Sequence, residues 1–284
     1  MYENKTMQPS MWTSYLIRMP PRKMARAFAR RGWRTLEMSD EHARILLKEK
    51  DPLKSGKKFR AFAADLGISF PQGHFYLACD IAPAGKSEFE AAMESMRRWV
   101  DLFSALGVRA GVLHPGGASL AARGWDKKKI FARRVEAVRR IAEYARGGPT
   151  LICLENLPDA GIERAEELLK IAAAAGMDNV AICLDTGHAN ISKVDPAPFI
   201  LKAGPRLKAL HIADNLGTRD DHILPHGRGT VKWPEVMKAL RAIGYKGLFN
   251  FEVPGENRCP EPVLLAKLDY ALKLAKWMIA NEGI

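Results

Sequence analysis

Cysteine is scarce in this chain, and the four present (Cys79, Cys153, Cys183 and Cys259) are scattered with no CxxC pair. Cys153 and Cys183 sit inside apolar, strand-like runs, where cysteine usually serves as a small buried hydrophobe. A reduced, cytoplasmic setting is the expectation. No apolar run reaches the roughly 18 residues that a membrane span needs. The opening MYENKTMQPS has no charged segment followed by an apolar core, so a signal peptide is not expected. No Gly/Pro/Ser-rich linker divides the 284 residues, a length ordinary for a single α/β barrel, so residues 1–284 are expected to form one domain. Acidic residues are outnumbered, 32 against 44 Lys and Arg, for a formal charge of +12. Such a balance raises the question of nucleic acid or acidic substrates. However, Arg30, Arg31, Arg34, Arg139, Arg140 and Arg146 fall at or just after the ends of helical patterns, where cations suit the helix dipole. That placement favours a solvated surface. Lys127-Lys128-Lys129 opens a helix instead and is the better candidate for a functional patch.

Hydrophobic residues make up 47% of the chain, enough for a large core. Their spacing alternates between short runs and helical stripes. Met11–Ile17 reads as a first strand, followed by a helix from Pro21 to Gly32 and a second strand at Thr35–Met38, ending near Glu37. After a basic linker come a helix over about Gly56–Leu66 and the run Ile68–Phe75, which reaches His74. Ser87-Glu88-Phe89-Glu90 reads as a capping box for a long helix to Leu106. Ala110–Leu113 then leads to His114-Pro115-Gly116-Gly117. The period continues through strands at Thr150–Leu154, Val180–Leu184, Leu207–Leu210 and Gly247–Phe251, tipped by Glu155, Asp185, His211 and Glu252. Helices are expected over Lys127–Arg146, Glu163–Ala175, Pro196–Lys202, Pro234–Ile243 and Pro262–Ala280. Eight strand–helix units of this length predict an α/β fold, a (β/α)8 TIM barrel.

In such a barrel the C-terminal strand ends lie on one face, so His74, His114, Glu155, Asp185, His211 and Glu252 are expected to converge. The stretch AICLDTGHAN (181–190) delivers Asp185 at a strand tip and returns His188 three residues later. Mixed carboxylate and imidazole ligands suit Mn²⁺, Zn²⁺ or Co²⁺ better than Mg²⁺ or Ca²⁺, which prefer all-oxygen sites. Glu155, Asp185, His211 and Glu252 make the most economical site for one divalent metal ion. Asn156 is placed to brace Glu155 or its loop, and Trp12 reads as a core aromatic.

LHPGG (113–117), LENLP (154–158), LDTGHAN (184–190), LHIADN (210–215), DDHILPHGRG (220–229) and NFEVPG (250–255) resemble the motifs of the xylose isomerase-like barrel superfamily. The chain is similar to its sugar phosphate isomerase/epimerase branch, which includes tagatose/psicose 3-epimerase-like proteins, and the match runs from strand 1 to strand 8. The resemblance implies a divalent metal on Glu155, Asp185, His211 and Glu252, proton exchange by Glu155 and Glu252, and His188 on a substrate oxygen. Proton removal beside a carbonyl creates an enediolate whose oxyanion a cation neutralises. Carboxylates on the two faces of a sugar permit epimerisation. Arg219 could steady the same oxygens, and His114, His74, His222 and Glu37 are further substrate-contact candidates. The expected partner is a small sugar, phosphorylated or not, or a keto-inositol; a 3-keto-sugar lyase or dehydratase would use the same chemistry. A homo-oligomer would be unsurprising.

The chain is also similar to the endonuclease IV-type apurinic endonucleases, whose three-zinc cluster implies His74, His114 and Glu155 at one site. Glu155, Asp185, His211 and Glu252 would form the second, with His188, Asp220 and His222 in the third. Here Ala213-Asp214-Asn215 and Asp220-Asp221-His222 depart from that family's Asn-Asp-Ser and Asp-Arg-His-His runs. The ending Pro225…Gly227-Arg228-Gly229 looks more like the epimerase branch, and no aromatic-rich, DNA-intercalating loop is visible. The isomerase/epimerase reading is therefore preferred.

Overall fold

Alternating buried strands and one-sided helices dictate the architecture, which a computed structural model describes for residues 6–282. In chain order the elements are β1 (Gln8–Trp12), α1 (Pro21–Arg30), β2 (Thr35–Met38), α2 (Asp40–Leu46), α3 (Pro52–Asp65), β3 (Ser69–His74), α4 (Lys86–Leu106) and β4 (Ala110–Leu113). There follow α5 (Ala118–Ala122), α6 (Lys127–Ala145), β5 (Leu151–Glu155), α7 (Ala165–Ala175), β6 (Val180–Asp185), α8 (Thr186–Ile191) and α9 (Pro196–Ala203). The chain continues through β7 (Leu207–His211), α10 (Trp233–Ala242), β8 (Leu248–Phe251) and α11 (Glu261–Asn281). All eight strands run parallel in one sheet, in the order β7-β6-β5-β4-β3-β2-β1-β8. The remaining seam, between β7 and β8, is closed by a bridge. Ile212 N donates to Asn250 O at 2.8 Å and Glu252 N donates to Ile212 O at 3.1 Å. This is the (β/α)8 barrel the periodicity predicts, and the seam places His211 and Glu252 side by side.

Every residue of β6 is buried, as a parallel strand covered on both faces requires. Facing the barrel axis, Ala110, Val112, Cys153, Ala181, Cys183 and Ala209 form a small-residue cluster. The large side chains pack instead between sheet and helices. On α4, Phe89, Ala92, Met93, Met96, Trp99, Val100 and Phe103 make the buried stripe, and Gly107, at φ 84°, ends the helix in the left-handed conformation. No described helix is long and apolar enough to cross a membrane.

Four local expectations need correction. The first strand is Gln8–Trp12, and Thr13–Leu16, expected as its continuation, is a 3-10 turn. Gln8-Pro9-Ser10, outside the expected strand, belongs to β1 although polar, and Ser10 donates to Asn250 Oδ1 at 2.8 Å. The basic linker after β2 holds a helix, α2, capped by Ser39, whose hydroxyl accepts from His42 N. The Ser87 capping box does not form: α4 starts at Lys86 with extended Gly85 as its cap residue, leaving Ser87 inside the first turn. Gly56 lies within α3 rather than at its start.

Candidate active site

Strand ends supply the central side chains. Asp185 closes β6 and caps α8, its Oδ1 accepting from His188 N at 2.6 Å. The neighbouring strand end holds it there. Asn156 donates to Asp185 O at 2.9 Å and accepts from Asp185 N at 2.8 Å. Asn156 therefore braces Asp185 across the β5–β6 gap. The other carboxylate oxygen of Asp185, Oδ2, is buried without a hydrogen-bond partner. Burial pushes this carboxyl up to about 7, against the pull of the His188 imidazole.

Glu155 ends β5 with Oε1 2.7 Å from His211 Nδ1 and Oε2 3.2 Å from both His74 Nε2 and His114 Nε2. Burial works to raise its pKa, but the three imidazoles prevail and hold the group well below the usual carboxylate range. His211 Nδ1 also lies 3.1 Å from Glu252 Oε2, so one nitrogen faces two carboxylates. Burial and His211 act in opposite senses on Glu252, and the net result lowers it to about 2. One donor atom each from Glu155, Asp185, His211 and Glu252 lies within 4.8 Å of the other three. Ligands about 2.0–2.2 Å from a common centre are separated by no more than roughly that distance.

Glu37, expected as a substrate contact, lies on the far side of His211. Its Oε1 is 2.9 Å from His211 Nε2, and its Oε2 accepts from the Asn250 amide, which in turn accepts from Ser10. Glu37 is 0% exposed. A carboxylate in this position makes Nε2 the protonated nitrogen and turns Nδ1 toward Glu155 and Glu252.

Three further histidines, His74, His188 and His222, follow one rule. His74 Nδ1 is 2.7 Å from Phe75 O, His188 Nδ1 is 2.9 Å from Asn156 O, and His222 Nδ1 is 2.8 Å from Glu252 O. Carbonyl oxygens only accept, so Nδ1 carries hydrogen in each ring and Nε2 faces a carboxylate. For His74 that carboxylate is Glu155; for His188 and His222 it is Asp220 Oδ2, at 3.2 and 3.0 Å. Burial opposes the charged rings, yet Glu155 raises His74 to about 9, Asp220 raises His222 to about 10, and Asp185 together with Asp220 raises His188 well above its ordinary value. Asp220 answers in kind: burial favours its neutral form, and His188 and His222 pull it below the usual range. His114 differs, because burial outweighs Glu155 and lowers its pKa. Two further groups with donor atoms this close are His74–Glu155–His211 and Asp185–His188–His222.

Arg219 stands apart: its side chain is 83% exposed and pairs with Asp221 at 3.3 Å. His226 pairs with Glu282. The sequence reading overlooked Asp214, which accepts from Asn215 N, Val231 N and Trp233 Nε1 and so ties down the 212–232 loop that carries Asp220 and His222. Gly229 within that loop is the available signal: a Cβ there would meet Asp214 Oδ1 at 2.1 Å, so only glycine allows the approach.

Comparison with known proteins places the architecture in context. D-psicose 3-epimerase of Agrobacterium fabrum is 29% identical over 170 residues, 59% of this chain and 55% of that protein. The match spans 53% to 61% of the length of three of the curated relatives, that epimerase among them. A crystal structure of D-psicose 3-epimerase in the presence of D-fructose superposes with a TM-score of 0.80 at 19% identity, covering 97% of this chain and 100% of that one. The D-psicose 3-epimerase of Clostridium cellulolyticum H10 with D-tagatose gives 0.79 at 21% identity, covering 96% and 99%. The family model described as xylose isomerase-like TIM barrel matches residues 25–280. With nearly the whole barrel inside that match, the chain belongs to the xylose isomerase-like TIM barrel family.

Proposed function

We propose that the chain is a divalent-metal-dependent sugar isomerase or epimerase. The observation that carries this reading is the meeting of Glu155, Asp185, His211 and Glu252 at the closing end of the barrel, with their donor atoms within 4.8 Å. The residues fit a cation on independent grounds. Asp185 Oδ2 is a buried acceptor with no donor, and unpartnered buried carboxylate oxygens are costly. The donor set of three carboxylates and one imidazole suits Mn²⁺, Zn²⁺ or Co²⁺. When bound, such an ion supplies positive charge against the oxyanion that develops as a proton leaves the carbon beside a carbonyl.

The protein's own groups would then divide the work. Glu155 and Glu252 approach His211 Nδ1 from separate strand ends, at 2.7 and 3.1 Å. In this reading one takes the proton from one sugar face and the other returns a proton to the opposite face. Glu37 keeps His211 in the tautomer that offers Nδ1. His188, with Nδ1 held by Asn156 O, presents Nε2 to a sugar oxygen. The relatives named D-psicose 3-epimerase support a ketose as substrate and the carbon next to its carbonyl as the reacting centre. The test is incubation of the Mn²⁺-, Co²⁺- or Zn²⁺-loaded protein with D-psicose and other ketoses in D₂O. Solvent deuterium entering beside the carbonyl is the expected result; none with any ketose would refute the reading.

A second reading, a three-metal phosphodiesterase, has a specific observation in its favour. His74 and His114 converge on Glu155 Oε2, and His188 and His222 converge on Asp220, flanking the central four donors on both sides. It requires three ions per chain and nicking of a duplex that contains an abasic site.

A further inference from the structure

The opposite mouth of the barrel, where the strands begin, holds a cavity of about 680 Å³. Small-molecule sites typically fall between roughly 300 and 1,000 Å³. Four cations line it, each from a different element: Arg60 on α3, Arg109 before β4, Lys208 on β7 and Lys246 before β8. No Asp or Glu among the described residues lines it. Among the described residues, none of the four side chains has a carboxylate within salt-bridge distance or a hydrogen bond. Surface cations such as Lys127, Lys128 and Lys129 also lack a carboxylate partner; what sets these four apart is their convergence on one hollow with no acid in its described lining, whereas the hollow beside Lys23, Arg26, Arg30 and Arg31 includes Glu261.

Helix dipoles explain part of this. Arg109 and Lys246 follow the C-termini of α4 and α10, where positive charge is favoured. Lys208 is different. It sits mid-strand, at a register shift where β7 advances two residues, Leu207 to Ala209, while β6 advances one, Ile182 to Cys183. Bulges of this kind re-aim a side chain, and this one leaves Lys208 exposed between buried Leu207 and Ala209. The hydroxyls of Thr35 and Ser69 in the cavity wall donate to Pro9 O and Arg34 O, so the four cations are the wall's charged donors, beside apolar surface from Leu248 and Phe70.

We infer that this mouth binds a small multivalent anion, a phosphorylated metabolite with a partly apolar or hydroxylated body, at a site separate from the cluster at the other end of the barrel. Four unpaired cations facing one hollow repel one another, and a ligand of two or more negative charges relieves that repulsion. The chemistry excludes cations and gives neutral sugars no advantage.

Inorganic pyrophosphate is the probe, titrated calorimetrically into the metal-loaded full chain. One pyrophosphate per chain is expected at this mouth. Binding should weaken at least tenfold in Lys208→Met combined with Arg109→Met, and again in the independent pair Arg60→Gln and Lys246→Gln, whose side chains are all exposed and whose replacement spares the core. Asp185→Asn, which disables the other end, should leave this affinity unchanged. Absence of binding at millimolar pyrophosphate, undiminished binding in both double variants, or loss of binding in Asp185→Asn would each overturn the assignment.

Discussion

Asp185 concentrates the chemistry of the site in one carboxylate. One oxygen caps α8 and the other has no partner, so the protein holds an acid in place at a cost to its own stability. An unsatisfied buried group costs about 1–3 kcal/mol. Asp185→Asn keeps the cap and lowers that penalty, so the metal-free variant should melt at or above the parent's temperature. It should also lose the rise in melting temperature that Mn²⁺ gives the parent. Paired calorimetric scans with and without Mn²⁺ check both halves. Glu37 makes the complementary case. Glu37→Gln retains shape but removes the charge that orients His211, and outer-shell changes of this kind cost about 10–100-fold in metal affinity. A titration with Mn²⁺ should show that loss; an unchanged dissociation constant would return Glu37 to a purely structural role. The sequence made Asp185 and His188 legible, because a three-residue return from a strand tip leaves few other directions. Glu37 was legible as a strand-end acid but not in its orientation. Whether it faces substrate or backs onto His211 depends on the β1–β2–β8 register, which polar Gln8-Pro9-Ser10 concealed.

Among the elements, α3 and α4 pack closely across Gly56. A Cβ at Gly56 would lie 2.7 Å from Ala105 Cβ and 2.9 Å from Leu102 O. Glycine is therefore required there for contact between helices, and the same residue read as a helix start from propensity alone. Gly56→Ala should destabilise by about 1–3 kcal/mol in urea unfolding, as overpacking does, with metal content per chain unchanged. The overlooked α2 carries a titrating group of its own. His42 Nε2 donates to Met19 O at 2.9 Å, and Nδ1 sits 3.1 Å from the Ser39 and Thr13 hydroxyls, an arrangement suited to the neutral ring. Burial lowers its pKa from 6.5. The unfolded chain takes up that proton first, so stability present above pH 6.5 is lost as pH falls through the lowered folded value. Neighbouring Asp40, raised by burial to about 6, acts in the opposite sense. The difference between parent and His42→Gln isolates the histidine: the parent should lose more stability than the variant between pH 6.5 and 5. Equal slopes in denaturant titrations would contradict this.

For the molecule as a whole, periodicity made the barrel readable because each strand–helix unit repeats the same physics, a buried strand and then a one-sided helix. The seam was not readable: β7 and β8 meet through a single bridge at Ile212 and Phe251, which no local pattern announces. That seam sets His211 against Glu252, and the rest of the site depends on it. The basic charge, ambiguous in the sequence, includes in three dimensions a group of four cations that converge on the strand-start mouth with no acid in its described lining. The central claim is that four side chains at the other mouth share one cation. Its most direct test is the metal content of the purified, metal-loaded chain by elemental analysis, beside Asp185→Asn. One tightly held divalent ion per chain, lost in the variant, is the predicted result; no retained ion, or three, would contradict it.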